Sequence, residues 1–295
     1  MKLILDTTLI DRILEQWNNA KADFTEVYKH PVFNELLAHA EDFQKREIGV
    51  EKYLYDLLHV DNIDMQQKQQ EIERNVEIIK GVDFSRIAKE VELFLPKHVC
   101  ERMGNIYVHP IIGIGGLSKS NFIAVDPSPC PWYPADGKDA EKYLSDFIYP
   151  LLRHESHHVG YRHIRSCTDI AQLRNKCELA TDMIREIQLE GGAVLCEKQC
   201  MTRILSGAEL AKGIDSLRKC DELIQSWLSQ GDCEISKEAW EAYYTLWGSE
   251  KLVYWLGEFI CLLLVQYGIV SSVAECMIME PLDFLEMAKH TIDDL

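Results

Sequence analysis

Basic side chains are scarce in this sequence. Lysine and arginine together number 31, against 48 aspartates and glutamates, and the formal net charge at pH 7 is −17. Nucleic-acid binding depends on clustered Lys and Arg side chains that neutralise phosphates. The composition therefore argues against nucleic acid as a partner and predicts a well-solvated, acidic surface.

Cysteine pairs of the C-x-x-C type are missing, although the chain contains ten cysteines. A chain of 295 residues that is 47% hydrophobic can bury a core without needing disulfides. The first residues form an apolar run too short for a secretory signal. These features predict reduced thiols in a cytoplasmic protein. Cys196 and Cys200, four residues apart, are interpreted as small buried side chains rather than a second metal site.

A long uninterrupted apolar run is also missing. The most hydrophobic stretch, residues 252–270, approaches the length of a membrane span. Gly257, Glu258 and Gln266 interrupt it, and no cluster of Lys or Arg flanks it. We therefore predict a buried core helix at this position and no membrane partner.

Helical spacing of apolar residues dominates the chain. Residues 1–98 are predicted to be almost wholly helical, and helical spacing returns after Cys200. The predicted fold class is mainly α (α+β), with a small antiparallel β element. We predict a division into residues 1–98, a helical lid or wall, and residues 99–295, which carry the chemistry.

The β element is predicted from two short segments around a glycine-containing loop. Residues 105–112 and 121–126 are β-rich, and Gly113, Gly115 and Gly116 lie between them. The pattern indicates a hairpin. Two roles remain open: a plain structural hairpin, or an edge strand that hydrogen-bonds a peptide backbone brought close by the glycines.

The predicted chemistry rests on His154-Glu155-Ser156-His157-His158, which reads H-E-x-x-H. On a helix, His154 and His158 share one face and can bind the same ion. Imidazole suits Zn²⁺, which in catalytic sites takes three protein ligands and keeps a position for water. Glu155 is placed to take a proton from that water and pass it to a leaving amine. The alternative is a polar helix face with clustered histidines. Gly160 is expected to end this helix.

The third ligand has several candidates. His163 departs from the metzincin spacing, and on a continuous helix it would lie about 140° from His158. Glu190 is favoured because apolar residues flank it in a predicted second helix. The small residues from Gly191 onward would let that helix approach the histidine helix closely. Glu186, one turn earlier, is an alternative ligand or an acceptor for a ligand histidine.

These motifs resemble those of the gluzincin, or thermolysin-like, metallopeptidases, in which H-E-x-x-H is followed by a helix bearing E-x-x-A. Residues 189–193 also resemble the E-G-x-A motif of a group of uncharacterised zinc-dependent peptidases. In that group a later Y-x-x-G is common, and residues 254–257 match it. The resemblance spans roughly residues 100–270.

The resemblance implies a zinc peptidase acting on a peptide or protein substrate. It implies that the zinc ligands are His154, His158 and Glu190 and that Glu155 is the general base. The chain departs from the thermolysin pattern at Val194, where that pattern has an acid. A carboxylate partner for a ligand would then come from elsewhere, with Asp182 and Glu186 as candidates.

Amide hydrolysis also needs a hydrogen-bond donor for the developing oxyanion. Tyr254 is the favoured candidate because of the Y-x-x-G match, and the alternatives are Tyr243, Tyr244 and His163. Two other functions remain open at this stage. One is an inactive zinc-binding regulatory or scaffold protein, and the other is a helical interaction protein whose H-E-x-x-H is coincidental.

Overall fold

The structure of the chain is a computed structural model that describes residues 1–17, 23–44, 47–58, 65–113, 116–119, 121–128, 140–165, 170–248 and 251–295. Gly115, Cys130 and Cys167 lie outside the described residues, and the described cysteines carry free thiols.

The chain divides into two compact units, each built from two segments. The first unit contains residues 1–88 and 103–159, and the second contains residues 89–102 and 160–295. The functional division at residues 98 and 99 stays a prediction, as does the lid or wall role of the first part.

A small mixed sheet belongs to the first unit. Within the described residues its strands are β1 (Lys2–Leu5), β2 (Asn105–Pro110), β3 (Gly116–Ser118) and β4 (Phe122–Val125), in the order β1-β2-β4-β3. β1, β2 and β4 run parallel, and β3 is antiparallel to β4. β3 therefore forms one edge of the sheet.

The predicted fold class, mainly α with a small β element, is confirmed, but the predicted strand directions are wrong. Tyr107 pairs with Phe122 and Pro110 with Val125, so the two β-rich segments run parallel instead of forming an antiparallel hairpin. β3 is the return strand that makes this possible, and the hairpin is formed by β3 and β4. Strand β1 is a second departure, because residues 1–98 are predicted to be helical. It pairs with β2, about a hundred residues later, and no local pattern contains that contact.

Several helices precede β2. They are α1 (Thr8–Gln16), α2 (Thr25–Tyr28), α3 (Pro31–Gln44), α4 (Val50–Leu58), α5 (Met65–Lys80), α6 (Phe84–Val91) and α7 (Lys97–Arg102). Helices α1 to α5 contribute to the apolar core of the first unit, whereas α7 belongs to the second unit. Asp6 accepts a hydrogen bond from the Thr8 amide at the start of α1, and Pro31 opens α3. The core includes Ile10, Phe33 and Leu36, all fully buried.

The histidine helix follows the sheet. α8 (Ala140–Tyr143) continues through one π-helical turn (Leu144–Ile148) into α9 (Tyr149–Ile164). The expectation that Gly160 ends the helix is wrong, since α9 runs on for another turn. A Cβ atom at Gly160 would collide with the Leu95 side chain, so this glycine provides space for packing instead of ending the helix.

The second unit is built around α10. Its helices after α9 are α10 (Lys176–Glu197), α11 (Gly207–Gln230), α12 (Lys237–Trp247), α13 (Leu252–Gln266), α14 (Val273–Ile278) and α15 (Pro281–Asp293). Asn175 caps the start of α10, where its side-chain oxygen accepts from the Glu178 amide. The most extensive packing of α10 is against α13. α13 is buried along most of its length, as predicted for a core helix. Among the described helices, none is long and apolar enough to cross a membrane.

Candidate metal centre

α9 places both predicted histidine ligands on one face. The ring centroids of His154 and His158 lie 4.5 Å apart, with the rings at 88° to each other. His154 is half-buried, whereas His158 is only 6% exposed and Glu155 only 7%. Two imidazoles one helical turn apart are thus held together in a largely buried setting.

α10 brings Glu190 to these histidines. One ligand atom each from His154, His158 and Glu190 lies within 4.8 Å of the other two, and Glu190 is 4% exposed. Two imidazole nitrogens and one carboxylate oxygen form a donor set that suits zinc. The residues present therefore fit a zinc ion.

The other ligand candidates lie outside this group. Among the described residues, neither Glu186 nor His163 belongs to a set of three potential metal donors. α9 continues through His163, so this side chain points away from the face of His158, as the continuous helix predicts. Burial, together with the nearby Glu190 carboxylate, raises the pKa of Glu186 to about 7.

Glu155 is held by the edge strand of the sheet. The Ser118 hydroxyl on β3 donates to Glu155 Oε2 at 2.8 Å, and Ser118 is 1% exposed. A Cβ atom at Gly116 would lie 2.7 Å from Glu155 Oε1. Only glycine lets β3 pass this close to the carboxylate. The sequence gives no sign of the Ser118 contact, because it joins positions 37 residues apart.

The glycines of the two downstream motifs face each other. A Cβ atom at Gly191 would collide with the Gly257 backbone, and one at Gly257 with the Ile187 carbonyl oxygen. The sequence predicts that Gly191 lets α10 approach the histidine helix closely. This prediction is wrong, because the helix that lies closest to Gly191 is α13. E-G-x-A and Y-x-x-G meet at one helix crossing, and Glu190 immediately precedes it.

The candidate oxyanion donors have different surroundings. Tyr254 lies on α13 one turn before Gly257, half-buried, with its ring edge-on to Trp247 at a centroid distance of 5.7 Å. The Tyr243 hydroxyl is buried and donates to Asp182 at 2.6 Å, which engages it in a structural contact. Tyr244 is exposed and stacks on Trp240. Tyr254 therefore keeps its place as the candidate, and its role stays a prediction.

A family comparison bears directly on this site. The model of the family described as "Putative zinc dependent peptidase (DUF5700)" matches residues 38–287. The chain belongs to this family. No curated protein and no solved structure shows a significant match.

Membership in this family agrees with the donor set. A zinc-dependent family is expected to carry zinc ligands, and the matched residues include the group on α9 and α10. The match also starts well before residue 100, where the resemblance seen in the motifs begins. Most of the N-terminal helical region, from residue 38 within α3 onward, is therefore part of the family's common sequence.

Proposed function

We propose that this chain is a gluzincin-like zinc peptidase in which His154, His158 and Glu190 hold the ion. The main support for the proposal is that these three donors lie together and that Glu155, a buried carboxylate, follows His154 directly on α9. Family membership adds independent support for a zinc-dependent peptidase.

Glu155 is the proposed general base. When bound, zinc lowers the pKa of water to about 7 and polarises the scissile carbonyl. Glu155 then accepts a proton from the attacking water on a carboxylate oxygen and returns it to the leaving amine nitrogen. The Ser118 hydroxyl, which donates to Oε2, restricts the orientation of the carboxylate.

The substrate backbone is proposed to lie along β3. Within the described residues β3 pairs with β4 on one side only, so its other edge can add an extended peptide by backbone hydrogen bonds. Gly116 brings β3 close to the Glu155 carboxylate, so a peptide added to this strand would lie near the general base. This arrangement would present the scissile amide to the general base.

Tyr254 is the proposed donor to the developing oxyanion. Its support is its position one turn before Gly257, whose backbone packs against α10 next to Glu190. The edge-on Trp247 ring restricts the orientation of the Tyr254 ring.

Substitution of Glu155 by Gln tests this function. With zinc-loaded protein and a mixed peptide library, Glu155→Gln should lower turnover about 100- to 10,000-fold, because general-base catalysis is lost. Zinc content, measured by atomic emission, should equal that of the wild type. Glu141→Gln, the same change at an exposed position of α8, is the matched control and should leave turnover unchanged.

Two results would contradict the proposal. Undiminished cleavage by Glu155→Gln would remove the general base. Failure of the zinc-loaded wild type to cleave any peptide would instead favour an inactive zinc-binding scaffold.

A further inference from the structure

A buried hydrogen bond joins the two ligand-bearing helices. The Tyr161 hydroxyl on α9 donates to Gln188 Oε1 on α10 at 2.6 Å, and both side chains are fully buried. Tyr161 follows the ligand His158 by three residues, and Gln188 precedes Glu190 by two. The bond thus lies within one helical turn of a ligand on each helix.

The amide group of Gln188 makes three hydrogen bonds. Its nitrogen donates to the carbonyl oxygens of Cys276 at 2.5 Å and Met279 at 2.9 Å, while its oxygen accepts from Tyr161. Reversing the amide would set its oxygen against two carbonyl oxygens. These contacts therefore fix the orientation of the amide. A glutamine side chain can accept one hydrogen bond and donate two, which is the set of bonds made here.

The same backbone turn also holds the end of α9. Arg165, the residue after α9, donates to the carbonyl oxygens of Ile278 at 3.1 Å and Met279 at 2.5 Å and pairs with Glu280 at 2.9 Å. The segment 276–280, which contains the end of α14 and the link to α15, is thus a common support for α9 and α10. We call it the 276–280 support.

We propose that Tyr161 and Gln188 are positioning residues for the metal centre, an inference that rests on the proposed function. Fixed to the 276–280 support, they set the rotation of α9 against α10. That rotation determines how far the imidazoles of His154 and His158 lie from the Glu190 carboxylate. Neither residue touches the ion; both act through the ligands.

A metal site is sensitive to such a change because zinc bonds tolerate only about 0.2 Å of error in ligand position. Zinc affinity is therefore expected to change with small helix rotations that leave the overall fold intact. Loss of the Tyr161–Gln188 bond leaves the Gln188 oxygen buried without its donor, and α9 must rotate or shift to compensate.

The test is a zinc competition titration of the metal-free protein against a chromophoric chelator. Tyr161→Phe keeps the ring and removes only the hydroxyl, and it should weaken zinc binding about tenfold. Tyr243→Phe is the matched control: it deletes a hydroxyl that donates to α10 over the same 2.6 Å, at Asp182. The control should bind zinc within twofold of the wild type.

A second comparison separates positioning from general destabilisation. In a Glu190→Ala background the Tyr161→Phe change should no longer affect zinc affinity, because the ligand it positions is gone. An undiminished tenfold effect in that background would overturn the inference. So would wild-type affinity in Tyr161→Phe.

The peptidase proposal and the positioning role of Tyr161 and Gln188 are tested by different measurements. A wild-type protein that binds zinc but cleaves no peptide contradicts the peptidase proposal, while the titrations still decide whether Tyr161 and Gln188 position the ligands. Gln188→Leu removes all three bonds and should weaken zinc binding more than Tyr161→Phe. The reverse order would contradict the role of the 276–280 support.

Discussion

Helix α10 buries two carboxylates to the same extent but surrounds them differently. Asp182, in its first half, and Glu190, about two turns further on, are each 4% exposed. Asp182 accepts from the Tyr243 hydroxyl and forms an ion pair with Arg185. Glu190 is instead gathered with the nitrogens of two imidazoles.

The difference separates a structural carboxylate from a candidate ligand. A hydroxyl and a guanidinium donate hydrogen bonds to a carboxylate, so the chain itself compensates the burial of Asp182. Neutral imidazole nitrogens donate a lone pair to a metal, and a carboxylate beside two of them completes a zinc donor set. Burial alone therefore does not identify the site, whereas the chemistry of the neighbours does.

The largest expected effects come from removing each carboxylate in turn. Glu190→Ala should weaken zinc binding at least about 100-fold, more than the loss of a group that only supports a ligand. Asp182→Asn should lower the free energy of unfolding by about 3 kcal/mol, because Arg185 loses a buried partner. Zinc titration and urea denaturation measure the two effects.

An exchange of the two effects would contradict these roles of Asp182 and Glu190. Should Asp182→Asn abolish zinc binding in a folded protein, or Glu190→Ala leave it intact, the two carboxylates would have been assigned the wrong roles.

The next largest effect is expected where α10 and α13 cross at Gly191 and Gly257, next to Glu190. Gly257→Ala places a Cβ atom against the Ile187 carbonyl oxygen, so α10 and α13 must separate. We expect a loss of about 2 kcal/mol in unfolding free energy from overpacking, with weaker zinc binding. Gly207→Ala is the control because a Cβ atom there meets nothing within 4 Å. Equal stability of the two variants would show that the crossing is not tight.

A smaller effect is expected at the sheet edge. Ser118→Ala removes the hydrogen bond to Glu155 Oε2 and should lower kcat about tenfold, since bonds to charged groups contribute roughly 1.5 kcal/mol or more. KM and zinc content should not change, because the substitution keeps the β3 backbone that is proposed to bind the substrate and removes no zinc ligand. An unchanged kcat would mean that Ser118 does not position the general base.

The smallest expected effect concerns histidines away from the metal centre. Burial lowers the pKa of His109 and of His30 from 6.5, against the opposing attraction of Asp6. As the pH falls below about 6.5, the unfolded chain binds protons that the folded chain does not, so unfolding free energy decreases. Glu186, whose pKa is raised, contributes with the opposite sign.

A variant isolates the histidine contribution. Urea denaturation of metal-free wild type and His109→Gln from pH 7.5 to 5.5 should show a steeper loss toward acid in the wild type. The Glu186 contribution is common to both proteins and cancels. Identical slopes would mean that His109 titrates normally in the folded state.

The parts of the fold that depend on local spacing were predictable. The repeat of apolar residues predicts α13 as a core helix, and four-residue spacing predicts that His154 and His158 share a face. Flanking apolar residues favoured Glu190 over Glu186, and the structure groups Glu190 with the histidines.

The remaining features depend on contacts between distant segments. The directions of β2 and β4 are decided by the three-residue strand β3, and β1 is a strand only because β2 lies beside it. The partner of Gly191 is on α13, and no local pattern shows which helix a glycine faces. The Ser118 contact with Glu155 was missed for the same reason.

We propose that one zinc ion is bound by two imidazoles of α9 and one carboxylate of α10. Anomalous scattering at the zinc absorption edge, from crystals of the zinc-loaded protein, tests it directly. We expect a single strong peak bonded to nitrogens of His154 and His158 and an oxygen of Glu190. A peak at other side chains, or none near this group, would contradict it.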